Sequence, residues 1–335
     1  MRSVLTYILV LIFSISLNAQ DIHFSQFNAS YLNLNPALTG NFDGTYRFNA
    51  NFRNQWSSIA EPFRTFAFSV EKRSPFYQVP NLHLGLSFFN DEAGLGGLQQ
   101  TQVNINVGYD YALNQDSTFI ALGGIQAGYS ARSINFNAFS FDQQYNGVRF
   151  NENLNNGENF NQNTTSSLNL AAGLGFAYLI DHRKKITANA SFFNLSRPDQ
   201  NFQEVSVPLE LRSNFSLSAD YMLAEDLDLL PSVLYSQQGD FSELVIGSNV
   251  RYRFEKDRSL GTNLYGGLWY RNKDAFIVQL GLDYQQWNFG LSYDLNVSDL
   301  RTATNRRGGL ELALTYIFKE FKPSTRRYKV CPSFM

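Results

Sequence analysis

The chain has 335 residues, with 27 Lys and Arg against 29 Asp and Glu, and 15% of its residues are aromatic. A mean hydropathy of −0.26 excludes a bundle of membrane helices, and the aromatic content excludes a disordered chain. The near-neutral charge leaves no basic surface for nucleic acid.

In chain order, the first element is the only long apolar run. "MRSVLTYILVLIFSISLNAQ" places Arg2 ahead of an apolar stretch from Val4 to Leu17, then Ala19 at a cleavage position. This is the pattern of a secretory signal peptide over 1–19, with the mature chain starting at Gln20. A membrane anchor helix would need about 20 apolar residues. No cysteine follows the run, so the leader is not that of a lipoprotein. The one cysteine, Cys331, allows no internal disulfide and reads as a free thiol in a Cys-Pro turn.

Residues 20–44 carry apolar and aromatic groups without strand alternation. Past them, a period of two recurs almost to the end. Residues 45–56 set Tyr46, Phe48, Ala50, Phe52 and Trp56 against Arg47, Asn49, Asn51, Arg53 and Gln55. The stretch 101–113 sets Val103, Ile105, Val107, Tyr109 and Tyr111 against Gln102, Asn104, Asn106, Gly108 and Asp110. The same device recurs in 209–221 and 287–296.

This reading predicts strands over 45–57, 63–73, 81–91, 99–113, 118–132, 166–181, 185–195, 209–223, 227–237, 242–254, 263–272, 275–284, 287–296 and 309–319. In the fifth, seventh and ninth both faces carry apolar residues. Short links such as 114–117, 181–184, 224–226 and 285–286 alternate with long ones such as 133–165, 196–208 and 297–308, apart from the short links at Gly239-Asp240 and Asn272-Lys273.

Such a set of half-polar strands would leave exposed edges in a soluble sandwich, whereas closure in a bilayer removes edges altogether. The expected fold is therefore all-β, a transmembrane antiparallel β-barrel of the outer-membrane type with about 14 strands over 45–319. Its apolar face meets lipid and its polar face lines the lumen. On that reading Arg at Val107 or Leu217 is damaging, while Arg at Asn106 or Ser216 is tolerated. Trp56, Trp269, Tyr270, Trp287, Tyr316 and Phe318 fit interfacial girdles. The short links and both ends of the chain, 20–44 and the tail 320–335, then face the periplasm, and the loop 133–165 faces outside. The tail carries Lys322, Arg326, Arg327 and Lys329.

The sequence offers little for catalysis. His23, His83 and His182 lie in separate regions without metal spacing, and "GLGGLQ" at 94–99 fits neither dinucleotide nor P-loop glycine spacing. Glu210, Arg212 and Asp220 resemble a site but read better as a compensating lumen wall. No catalytic residue, cofactor or metal is expected.

"HFSQFNASYLNLNPALTG" at 23–40 and "RNQW" at 53–56 closely resemble the start of the PorP/SprF family of type IX secretion system membrane proteins of Bacteroidota. "PSVLYSQQGDFSELVIGSNVRY", "GLWYRNKDAFIVQLGL", "GLSYDLNVSDLRTATNRRGGLELALTY" and the Cys-Pro pair at 331–332 are similar to its later segments. The resemblance implies a non-enzymatic component of the outer membrane of a Gram-negative bacterium, working beside the translocon. It implies a role in secretion or surface attachment of particular large proteins, such as gliding adhesins. Its implied partners are translocon components, secreted cargo and outer-membrane lipid, with no nucleic acid and no small-molecule substrate. A general porin or small-solute transporter is the alternative. Phe24, Ser25, Gln26, Phe27, Asn35, Pro36 and Gly40 are the candidates for partner contact or for a plug folded into the barrel, together with Tyr31 and Leu34. Arg53, Gln55, Trp56, Ser292, Tyr293, Asp294, Arg307 and Gly308 are the implied structural motif.

Overall fold

The computed structural model describes residues 23–55, 61–151, 153–155, 162–202, 206–254, 261–298, 302 and 304–320. The expected signal peptide, Trp56 and nearly all of the tail with Cys331 lie outside the described residues.

Alternation becomes strand at every predicted site. The strands are β1 Tyr46–Gln55, β2 Phe63–Arg73, β3 Leu82–Ala93, β4 Leu98–Ala112, β5 Phe119–Ser133, β6 Thr164–Asp181 and β7 Lys184–Phe193. They continue as β8 Arg212–Ala224, β9 Leu227–Gln238, β10 Phe241–Arg253, β11 Asn263–Arg271, β12 Ala275–Tyr284, β13 Trp287–Asn296 and β14 Arg307–Phe318. The largest displacement is at the start of β8, predicted at 209 and observed at Arg212, because Glu210 turns out into a loop. Each strand pairs antiparallel with its neighbours in sequence. Pairing of Tyr46 with Phe318 through Gln55 with Gly309 joins β1 to β14 and closes the barrel.

Burial is inverted relative to a soluble core. In β1 the inward Arg47, Asn49, Asn51 and Arg53 are buried while Phe48 and Phe52 are exposed. In β4 Asn104 and Asn106 are buried while Val103 and Ile105 are exposed. A closed ladder pairs the strand backbone internally and presents a mainly apolar outer face, which is what hydrocarbon requires. Among the described residues no helix is long and apolar enough to cross a membrane.

Thr45 and Phe318 share one rim, the terminal rim, with the links 182–183, 225–226 and 285–286. The opposite loop rim carries 134–163 and 194–211. Aromatic pairs ring the terminal rim, including Trp287 with Tyr316 at 4.4 Å and Tyr46 with Phe318 at 6.2 Å. Trp269 does not join a girdle. In β11 Leu268 and Tyr270 point outward, so strand parity turns Trp269 inward, where it is 2% exposed. Parity, not chemistry alone, decides where an aromatic residue goes.

The expectation for Asn106 also needs correction. Asn106 is fully buried against Ser87, and the space beside it is filled, so an Arg there meets packing, not water. Ser216 borders a cavity of about 350 Å³ and has room. Leu217→Arg, on the exposed face, is therefore expected to cost about 2–4 kcal/mol in a bilayer, while Ser216→Arg costs well under half as much. Urea unfolding midpoints in lipid vesicles measure the difference; equal losses would mean the faces are reversed.

Candidate functional site: the plugged lumen

The segment ahead of β1 does not project from the terminal rim. From Gly44, beside Ile317 and Phe318, it runs up the lumen and brings His23 close to the loop rim. There the His23 carbonyl accepts from Arg53 Nη1 at 2.6 Å, and its ring stands 3.8 Å from Glu243 near the start of β10. Of the two expected placements, periplasmic projection and plug, the segment takes the plug. Its composition suits the place, since its Phe and Leu side chains pack on inward apolar residues of the wall such as Leu122, Leu234 and Trp269.

The lower lock holds residues 38–42. Arg47 grips Glu71 through Nε at 2.7 Å and Nη2 at 2.8 Å, and Glu71 also accepts from the Gly40 amide at 2.9 Å. The same guanidinium donates to the Leu38 carbonyl at 3.2 Å and lies 3.8 Å over the Tyr31 ring. Gly40 has φ +75°, and a Cβ on it would run into the His83 ring, so both backbone and space demand glycine. His83 is itself held by the Ser74 amide and by Asp110 at 2.8 Å.

The middle bed lies under Asn35–Thr39. Asn35 caps the turn Pro36–Leu38 by accepting from the Ala37 amide at 2.8 Å, and its amide group donates to the Leu174 and Ala190 carbonyls at 2.9 and 3.2 Å. The plug backbone comes so close to the wall that a Cβ at Gly124 would collide with Pro36 and one at Gly108 would sit 2.6 Å from the Thr39 carbonyl. Leu34, Ala37 and Leu38 pack against Leu122, Leu234 and Ile277. Burying such side chains is worth about 1.5–3 kcal/mol each for the larger ones.

The upper lock surrounds Ser25. Asp294 bridges Arg53 and Arg271, both at 3.1 Å, and accepts the Ser25 hydroxyl at 2.7 Å. Glu311 accepts the Ser25 amide at 2.7 Å and the Gln26 amide at 2.9 Å. Gln279 donates to the Ser25 carbonyl at 3.1 Å, and the Gln26 side chain donates to the Glu311 carbonyl at 3.2 Å. Phe24 packs with Ala67 and Phe89, while Phe27 meets the Trp269 ring edge-on at 5.5 Å.

The structure thus brings together Phe24, Ser25, Gln26, Phe27, Arg53 and Asp294 from opposite ends of the sequence, with Asn35, Pro36 and Gly40 below them. Ser292 is buried near Glu311, its register partner. Gly308 lies against the Asp294 carbonyl, 2.6 Å from where its Cβ would be. Gln55 ends β1 beside Gly309. Tyr293 faces outward and Arg307 is exposed at the start of β14, so neither belongs to the lock. Glu210, Arg212 and Asp220 separate: Glu210 pairs with Arg197 at 2.9 Å in a loop, Arg212 stacks on Phe193 at 4.4 Å, and Asp220 borders the cavity of about 350 Å³.

Arg47, Glu71, Arg271, Gln279, Glu311 and Trp269 were not singled out by sequence as lumen contacts. Their signal was present as charged and bulky residues on the inward parity of strands. Among the described residues no group of His, Cys, Asp and Glu could hold a metal.

A closed antiparallel barrel with an apolar exterior, polar interior and a lumen filled by its own leading segment defines an outer-membrane barrel protein. The model of the type IX secretion system membrane protein PorP/SprF matches residues 16–316, and the chain belongs to that family. It is accordingly an outer-membrane component of type IX secretion. No curated protein matches the chain. Among solved structures, the toluene transporter TbuX of Ralstonia pickettii is similar at 10% identity, with 87% of this chain and 94% of that one covered and a TM-score of 0.51. The toluene transporter TodX of Pseudomonas putida is similar at 9% identity, with 88% and 94% covered and a TM-score of 0.50. At these identities the likeness is one of fold.

Proposed function

We propose that this barrel is a non-enzymatic partner of the type IX translocon, needed for secretion or surface attachment of one or a few large cell-surface proteins, such as gliding adhesins. The observation that carries this reading is the pairing of family membership with a lumen latched by the chain's own residues 23–44. A general porin works through an open polar channel. Here the two larger lumen cavities, about 350 and 250 Å³, lie beside a segment tied to the wall at both locks. A hydrolase would need a nucleophile with an aligned base. The histidines of this chain serve packing and rim contacts instead.

Deleting the gene is expected to abolish surface display of one or a few large proteins while bulk type IX export continues. Quantitative mass spectrometry of shaved surface peptides and culture supernatant reads both. Normal surface display with lost uptake of a small solute would promote the transporter reading.

A further inference from the structure

The upper lumen treats residues 23–27 as a bound peptide. Its wall reads the main chain of a short turn that leads into the 3-10 helix Phe27–Ala29: Arg53 on the His23 carbonyl, Gln279 on the Ser25 carbonyl, and Glu311 on the successive amides of Ser25 and Gln26. Side chains are then selected by Asp294 and Arg271 at the Ser25 hydroxyl, by Gly290 under Gln26, and by apolar walls at Phe24 and Phe27. Arg53, Arg271, Asp294 and Glu311 are each about 1 or 2% exposed, so this is a built, desolvated site. Charge-assisted bonds to backbone groups are strong in such surroundings.

The occupant is held differently from a strand. It makes no ladder with the barrel, and after Phe27 the residues Asn28 and Ala29 border the cavity of about 350 Å³ instead of tight wall, before Ser191 and Asn214 hold the Leu34 carbonyl at 2.7 and 3.2 Å. The upper lock can therefore release while Asn35–Gly40 stays seated. Emptied, it would leave the buried Glu311 carboxylate without the two amides it accepts, a state that a second occupant relieves.

We infer that Arg53, Arg271, Gln279, Asp294 and Glu311 form a peptide-binding site for a turn-forming aromatic-Ser-Gln-aromatic segment, filled in cis by residues 23–27 and able to take such a segment from another polypeptide at the loop rim. The covalent segment holds the site by its high effective concentration, so a competitor in trans binds well only when the cis segment is withdrawn or weakened. The chemistry of the site is independent of the secretion role, and it is tested without it.

The test uses the purified barrel lacking residues 23–30, checked for folding by heat-modifiable migration and circular dichroism, titrated with a fluorescent synthetic peptide of residues 21–30. Saturable binding at one peptide per barrel is expected. Methylating the peptide nitrogens of Ser25 and Gln26, scrambling the peptide, or introducing Glu311→Gln in the barrel should each weaken it at least about tenfold, the loss that one charge-assisted bond implies. No binding to the folded barrel, or equal binding of the methylated and scrambled peptides, overturns the inference. Should the shortened barrel not fold, the full chain carrying Phe24→Ala and Phe27→Ala is used with a photo-crosslinking peptide. Crosslinks on β13 and β14 then support the site, and their absence overturns it.

Discussion

A chain lacking residues 23–44 is expected to form steady ohmic pores in a planar bilayer, where the full-length protein stays closed. Barrels of 8 strands are filled by their own side chains and those of 16–18 strands hold an aqueous channel, so 14 strands leave a lumen that something must occupy. In this protein the occupant is the leading segment. Take it away and the wall it touched is Arg47, Glu71, Ser191, Asn214, Gln279 and Glu311, a surface that water wets readily. The glycines at 108 and 124, which let the plug backbone come close, would widen the same passage. Continued closure of the folded, shortened barrel would show that the loops of the loop rim seal the lumen and that the segment is only lodged within it.

Asp294→Ala is expected to be the most damaging single substitution in the lumen. Asp294 neutralises Arg53 and Arg271 together, and all of these groups are buried. Removing one partner of a buried pair strands the other charge, at about 3–5 kcal/mol. Asp274 contacts the same Arg271 at 3.0 Å, but its side chain is 41% exposed. Asp274→Ala is therefore expected to cost less than about 1 kcal/mol. Urea unfolding of the two variants in vesicles compares them directly; similar midpoints would mean that solvent reaches the upper lock.

The strands were legible because a barrel in lipid uses one rule along its whole length. Alternation fixes existence, boundaries and facing at once, and Val103 and Asn104 are opposed in the structure as they are in the sequence. The strands that read ambiguously were ambiguous for a physical reason. Their inward apolar residues, Leu122 in β5, Phe193 in β7 and Leu234 in β9, lie on the parity that faces the lumen, and Leu122 and Leu234 pack on the plug. A lumen that contains protein needs apolar residues on both faces of some strands, a pattern an open pore would lack.

The site was legible only in halves. "FSQF" and "RNQW" stood out at one end of the chain and "SYD" at the other, but nothing in their spacing revealed that Ser25 would meet Asp294. Such a contact depends on barrel closure and on the direction in which an irregular segment leaves the first strand. The lower lock was less visible still, since Arg47 and Glu71 each look like ordinary polar positions until register sets them opposite one another. Trp269 was misread for the complementary reason, because a tryptophan near a strand end suits a girdle by type and a plug by parity.

Residues 23–44 are expected to occupy the lumen of the native protein in the outer membrane. Thr39→Cys with Gly85→Cys, in a Cys331→Ser background, tests it most directly. Thr39 Cγ2 lies 3.3 Å from the position a Gly85 Cβ would take, within reach of a disulfide after a small adjustment. Cells grown without reductant should yield the crosslinked form almost completely, seen as an altered gel mobility that reductant reverses. A free thiol at position 39 that reacts with a membrane-impermeant maleimide, with no crosslink to position 85, would contradict a plugged lumen.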